Sequence, residues 1–158
     1  MSGFFGIVSE HPCISDLFYG TDYHSHLGTK RAGMATFDGM QPHQNIHNIQ
    51  NSHFRPKFSK DLEQMKGNVG IGVISDTEAQ PVMVNSHLGR FAIATVSKIN
   101  NIDQLEKDCL SKHQQFTDLS MGGTNPTELV ALLISQGKDF VEGIENVYNQ
   151  VKGSCTML

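Results

Sequence analysis

No apolar run in the sequence approaches the roughly 20 residues that a bilayer-spanning helix needs. No basic segment followed by a long apolar stretch marks a secretory leader. Both absences point to a cytoplasmic protein that does not insert into membranes. Basic blocks are also missing. The formal net charge is -4, which argues against a sequence-independent nucleic-acid surface. Tryptophan is absent, and the three cysteines, Cys13, Cys109 and Cys155, form an odd set without CxxC spacing. They read as reduced, mostly buried thiols rather than as a disulfide frame or a zinc site. No GxGxxG, GxxxxGK[ST] or GxSxG pattern occurs, so the nucleotide-binding and α/β-hydrolase readings have no motif to stand on.

What is present fits one globular domain. The chain has 158 residues, 38% of them apolar and 18% charged, enough to build a real core. Phe4–Val8 reads as a buried strand, and Gly3 and Gly6 mark close packing. Ile14 to Leu27 carries a helical pattern weakened by Gly20, and Gly28-Thr29-Lys30-Arg31 reads as a polar turn. Ala32–Phe37 follows as a strand closed by Asp38-Gly39. Residues 39–59, rich in Gln, Asn and His, read as a surface excursion of long loop and short strands. Asp61–Lys66 is expected to be helical, and Val69–Ile74 to be a strand packed closely at Gly70 and Gly72. Gln80–Asn85 and Phe91–Val96 are expected to form a hairpin. Three helix starts follow: Asn101 with Gln104, Asn125-Pro126 with Glu128, and Asp139 with Glu142. The last helix carries the stripe Phe140, Ile144, Val147 and Val151 and ends at Gly153. Lys152–Leu158 reads as a strand just beginning, which points to a longer protein continuing beyond it; a terminal strand tucked into a sheet is the other reading. The pattern is α+β, helices layered on sheet.

Several candidate chemistries are weak. Five of the eight histidines, His24, His26, His43, His47 and His53, fall within thirty residues. Zinc sites use three or four ligands on firm elements. Pro42 and the flanking amides argue for loop here, so solvated histidines and no metal are the expectation. The acids Asp16, Asp22, Asp76 and Glu78 have no distinguishing surroundings in the sequence. Asp76, Glu78 and Asn85 could hold a polar ligand, but turn residues look the same. Ser2 is different. Without Met1 it would carry a free α-amine beside its hydroxyl, the arrangement in which the amine is the base for its own side chain. The plain alternative is a small residue ahead of a core strand.

The order of segments resembles a known family. Ser2-Gly3-Phe4-Phe5-Gly6-Ile7-Val8 is similar to the Cys-Gly-Ile-x-Gly-Ile-x opening of class II glutamine amidotransferase domains. His26-Leu27-Gly28-Thr29-Lys30-Arg31-Ala32-Gly33-Met34-Ala35 resembles the family's His/Tyr-Arg-Gly-x-x-Ser-Ala-Gly-Ile/Leu-Ala segment. Gly67–Gly72, followed by Glu78-Ala79-Gln80-Pro81-Val82-Met83-Val84-Asn85-Ser86, looks like the amidophosphoribosyltransferase branch. Thr124 to Ile134 resembles its Ser-Asp-Ser-Glu helix start, and Lys152–Thr156 its Gly-Ala-Tyr-Ser strand. The five matches come in the family's order.

The resemblance implies a four-layer αββα sandwich of N-terminal nucleophile hydrolase type, truncated relative to the longer family domains, over residues 1–158. It implies a glutamine-cleaving domain that passes ammonia to a second domain in purine biosynthesis, with no cofactor of its own. Its expected partner is a phosphoribosyltransferase-like domain downstream in the same chain, and self-association is compatible with it. The resemblance also places Ser2 at the catalytic Cys. Leu27 stands where the Arg that grips the glutamine carboxylate falls, and leucine cannot make the bidentate contact. Val96-Ser97 stands at the oxyanion-hole Asn-Gly, Pro126 at the Asp that holds the amine, and Ser75-Asp76 at an Arg-Tyr pair. These replacements lead to an expectation of lost glutaminase activity at a vestigial Ser2, with a structural, regulatory or ligand-binding role. The alternatives are a serine-type N-terminal amide hydrolase using Ser2, and a non-enzymatic interaction module using residues 39–59.

Overall fold

In a computed structural model, residues 2–28, 30–117 and 122–158 are described. The turn residue Thr29 and the retention of Met1 lie outside them. The chain divides into two compact units, residues 1–81 with Leu158, and residues 82–157.

The first unit is built on a four-stranded antiparallel sheet in the order β1-β4-β2-β3. Its strands are β1 (Gly3–Val8), β2 (Arg31–Phe37), β3 (Pro42–Asn48) and β4 (Val69–Ser75). Helix α1 (Ile14–Tyr23) lies on one face. It can approach closely because β4 carries glycine where the helix crosses. A Cβ added at Gly72 would stand 1.8 Å from Thr21 Oγ1, and one at Gly70 2.7 Å from Leu17 Cδ2. The tight packing expected at these two glycines is therefore made by α1. Leu17, Phe18, Met34, Ile74, Phe54 and Phe58 form the core of this unit.

Residues 39–59 differ from the expected loop. Pro42–Asn48 pairs with β2 along its whole length, Phe37↔Pro42 to Arg31↔Asn48. A five-residue helix, α2 (Phe54–Phe58), then buries Phe54 and Phe58 completely against the core. β3 is a polar edge strand. Among the described residues only one of its edges pairs, so its residues need no alternating pattern. Nor are its histidines solvated loop residues. His43 and His47, four apart in a strand, share a face. His43 Nε2 lies 3.3 Å from Asp38 Oδ2 and His47 Nε2 2.5 Å from Asp61 Oδ2.

The second unit holds the hairpin β5 (Val82–Ser86) and β6 (Gly89–Ile93), the pair β7 (Thr95–Ile99) and β8 (Gly153–Met157), and helices α3 (Ile102–Ser111), α4 (Pro126–Ile134) and α5 (Phe140–Gln150). The strand expected over Phe91–Val96 breaks at Ala94, and its remainder becomes β7, which pairs with β8. Two of the three helix starts are capped as expected. Asn125 Oδ1 accepts from Thr127 N and Glu128 N, and Asp139 Oδ1 accepts from Glu142 N. The Asn101 box is not formed. Its side chain donates to Gln150 O and accepts from Lys152 N instead. Of the expected α5 stripe, Val147 is in the core, whereas Phe140 and Ile144 remain exposed. Ile93, Leu105, Leu129, Leu133, Ile134 and Val147 make the core of this unit.

Candidate functional site

The head of β1 is where the sequence places its candidate nucleophile. Strand alternation assigns the two faces there. Gly3, Phe5 and Ile7 face α1. A Cβ at Gly3 would meet Leu27 Cδ1 at 2.9 Å and His24 Nδ1 at 3.1 Å, and one at Gly20 of α1 would meet the Phe5 ring. Ser2, Phe4 and Gly6 therefore belong to the opposite face.

The ladder shows what shares that face. β1 pairs with β4 through Gly3↔Ile74 and Phe4↔Val73, and β2 pairs with β4 through Arg31↔Ser75 and Gly33↔Val73. Continued by one residue, the β1 register sets Ser2 level with Ser75, and Ser75 is level with Arg31. Ser2, Ser75 and Arg31 thus make one rung on the face away from α1. One rung further in, Gln80 crosses over Gly33 so closely that a Cβ there would stand 1.8 Å from Gln80 O. Only glycine fits under that crossing.

The segment after β4 is the most polar part of this end of the sheet. Glu78 is 6% exposed and Gln80 1%. Gln80 Nε2 donates to Glu78 Oε1 at 2.7 Å, and Thr77 Oγ1 donates to Glu78 Oε2. Thr77 N donates to Ser75 Oγ at 3.2 Å, and the two hydroxyls lie 3.4 Å apart. Glu78 is thus a buried carboxylate joined to the hydroxyls of Thr77 and Ser75, not the turn residue that the sequence reading allowed. Burial of this kind requires satisfied hydrogen bonds, and its place on the Ser2 face depends on the sheet register, which the sequence does not display.

The other positions that the resemblance singles out are distributed as follows. Leu27 packs against the start of β1, on the α1 side. Neighbouring His24 Nδ1 is buried and has no hydrogen-bond partner among the described residues. In the second unit Val96 lies within β7, and the Ser97 hydroxyl is buried with no hydrogen-bond partner among the described residues. Pro126 is the first residue of α4, whose cap Asn125 is fully buried. Thr95 and Thr127 hydroxyls are 2.6 Å apart in that core. Asp22 holds the Arg55 guanidinium at 2.7 Å. Among the described residues no three His, Cys, Asp or Glu side chains converge on a metal position, and no helix is long and apolar enough to cross a membrane. All three cysteines are free, and burial pushes each thiol above its ordinary pKa.

Comparison with known proteins places this geometry. No family model matches the chain. It is 29% identical to an amidophosphoribosyltransferase of Methanocaldococcus jannaschii, over 100% of this chain and 35% of that protein. It is 27% identical to one of Methanothermobacter thermautotrophicus, over 99% of this chain and 35% of that protein. A solved glutamine phosphoribosylpyrophosphate amidotransferase from B. subtilis, complexed with ADP and GMP, superposes on all of the chain with a TM-score of 0.85 at 22% identity, over 34% of its own length. A structure described as the allosteric regulatory enzyme of purine biosynthesis gives the same score and identity over 35% of its length. The chain therefore spans about a third of the length of these relatives. Its α+β fold is that of the glutamine phosphoribosylpyrophosphate amidotransferases, of N-terminal nucleophile hydrolase type, and along its whole length its sequence is similar to amidophosphoribosyltransferase.

Proposed function

We propose that this chain is a glutamine-amidotransferase-type domain that no longer hydrolyses glutamine and acts as a ligand-binding, regulatory or structural element beside a phosphoribosyltransferase-like partner in purine biosynthesis. The observation that carries the reading is the apolar packing of Leu27 against the head of β1, at the position where the resemblance calls for a carboxylate-gripping Arg. A hydrocarbon there offers no hydrogen bond to a substrate carboxylate. Val96 in place of an oxyanion-hole Asn, and Pro126 in place of an amine-binding Asp, act in the same direction. The loss of one oxyanion donor alone lowers rate by about a hundredfold or more, and serine is a less acidic nucleophile than cysteine. The test is glutamate release from glutamine by the purified chain, alone and with its partner domain. No release above background is expected. Release that disappears in Ser2→Ala would overturn the reading.

A second reading, a serine-type amide hydrolase, draws on the Ser75–Thr77–Glu78 hydrogen-bonded row on the Ser2 face. It requires a free Ser2 amine. Intact-mass measurement decides it, because retained Met1 converts that amine to an amide and removes the base.

A further inference from the structure

The sheet order β1-β4-β2-β3 leaves β3 with one neighbour among the described residues. Edge strands are ordinarily protected by charged side chains, by proline, by a bulge or by being short. β3 has little of this. It spans Pro42–Asn48 without a lysine, arginine, aspartate or glutamate. Its register with β2 runs unbroken from Phe37↔Pro42 to Arg31↔Asn48, so it carries no bulge, and its one proline is its first residue.

The ladder fixes which groups that edge presents. Ile49 N donates to Lys30 O at 2.9 Å just past one end of the strand, and Asp38 N to Gln41 O at 3.5 Å past the other. Bonded pairs alternate along an antiparallel ladder, so His43, Asn45 and His47 turn their backbone groups to β2. Pro42, Gln44, Ile46 and Asn48 turn theirs outward. Pro42 has no N–H, and in the outward set this breaks no bond to β2. No hydrogen bond among the described residues engages the backbone N–H or C=O of Gln44, Ile46 or Asn48. Such a row of open amides and carbonyls is a template for one more strand.

The strand that fits this edge is β3 of a second copy. Asn45 is the midpoint of Pro42–Asn48, so antiparallel pairing about a two-fold axis at Asn45 overlaps the two strands completely. Gln44 then stands opposite Ile46 of the second copy, and the two exchange both backbone bonds on each side of the axis. Asn48 N–H meets the Pro42 carbonyl, which leaves the missing N–H of Pro42 at the very end of the seam. A slide in either direction unpairs one end of each strand. With no charged residue in the strand, no like charges meet across the axis. Helix α2 does not obstruct the approach. It sits at the His47 end of β3, where the Phe58 ring lies 4.7 Å from the His47 imidazole. The axis therefore sets the two copies of α2 at opposite ends of the seam, about 13 Å apart along the strands.

We propose that the open edge of β3 is a self-association surface, on which β3 of a second copy of this chain pairs antiparallel about a two-fold axis at Asn45, joining the two four-stranded sheets into one. The surface is independent of the chemistry at Ser2. Sedimentation velocity on the whole chain from about 1 μM to 1 mM, the range of weak association, should show the mass rising from 17.4 kDa toward twice that value. Asn45→Lys and Asn45→Glu each set like charges directly opposite one another at the axis. Each should weaken dimerisation about fivefold or more, with circular dichroism unchanged. An equal mixture of the two variants should dimerise again, because the facing charges are then opposite. Asn45→Cys should form a disulfide-linked dimer under mild oxidation, since facing Cα atoms of a non-hydrogen-bonded antiparallel pair lie about 4.5 Å apart, within the span of a disulfide. The chain's own Cys13 and Cys109 are buried and do not compete. A wild type that stays monomeric throughout, a dimer indifferent to both charges, or an Asn45→Cys chain that does not crosslink each overturns the proposal. Should a charge variant fail to fold, the crosslink decides alone.

Discussion

Placing one methyl group at Gly72 tests how the first unit is held together. A Cβ at this position would stand 1.8 Å from Thr21 Oγ1, 2.9 Å from Thr21 Cβ and 3.0 Å from Thr21 Cγ2. Comfortable carbon contacts lie at about 3.5–4.0 Å, so the strand and helix must part by roughly 0.6–1.1 Å even if Thr21 turns its hydroxyl away. Rotation alone cannot relieve a contact with the Thr21 Cβ. Helix α1 carries the fully buried Leu17 and the nearly buried Phe18 into the core, and each such side chain contributes about 1.5–3 kcal/mol when fully buried. Loss of part of that packing, with the strain of overpacking at about 1–3 kcal/mol, gives an expected cost near 3 kcal/mol for Gly72→Ala. For a chain of this size that lowers Tm by about 6–12 °C. Thr21→Ala should cost about 1 kcal/mol alone, because among the described residues the Thr21 hydroxyl donates only to Leu17 O of its own helix and alanine favours helix. It also removes Oγ1, the atom nearest the new methyl, and Cγ2, while the Cβ contact at 2.9 Å stays. The double variant should therefore be destabilised by less than the sum, with a coupling of about 1.5 kcal/mol in its favour. Thermal and urea unfolding followed by circular dichroism provide all four corners of the cycle. Additive costs, or a Gly72→Ala variant within about 0.5 kcal/mol of the parent, would refute the close crossing of α1 and β4.

Gly33→Ala should be more damaging still and should not be rescued by trimming a side chain, because its methyl would meet the Gln80 backbone oxygen; soluble yield and Tm report it. Asn125→Ala should cost about 1–2 kcal/mol in urea unfolding, since this buried cap serves two amides of α4. Asp38 accepts from the Gln41 and Met40 amides, which lower its pKa to about 2. A depressed carboxylate stabilises above its unfolded pKa and loses that contribution as pH falls through the folded one, so its carboxyl carbon should titrate in NMR near pH 2 while ordinary carboxylates titrate near 4. The cysteine thiols, pushed up by burial, should stay protonated at neutral pH and react slowly with maleimide in the native chain, and rapidly once unfolded.

Much of this architecture is readable from residues close together in the chain. The glycines of Val69–Ile74 and the Asn125-Pro126 and Asp139 helix starts depend on local chemistry, and the structure reproduces them; Phe4–Val8 forms its strand but is half-exposed, with Val8 in the open, rather than buried. The misreadings share a cause. β3 is polar because an edge strand needs no apolar alternation, and Phe54 and Phe58 were hidden in a segment whose composition resembles loop. Asn101 sits one residue before its helix as a cap would, but its amide bonds to partners 49 and 51 residues away. The candidate site divides in the same way. Ser2 and Leu27 are visible by motif, whereas the rung that aligns Ser2, Ser75 and Arg31 exists only once three strands have paired. No spacing in the sequence shows that residues 31 and 75 face each other.

The unformed cap at Asn101 has a consequence for how the second unit assembles. The hairpin β5–β6 closes through a two-residue turn and can form early. The β7–β8 pair must wait for α3, α4 and α5 to be laid down, because closing a loop of about 50 residues costs roughly 3.5 kcal/mol in chain entropy. Asn101 then locks the arrival of β8 with both ends of one amide, while Asn100 N donates to Lys152 O beside it at 2.8 Å. Its side chain is a latch on the last step of a slow topology. The amides of Asn100 and Lys152 should lose protection against hydrogen exchange together, ahead of those in α4, whenever the latch opens.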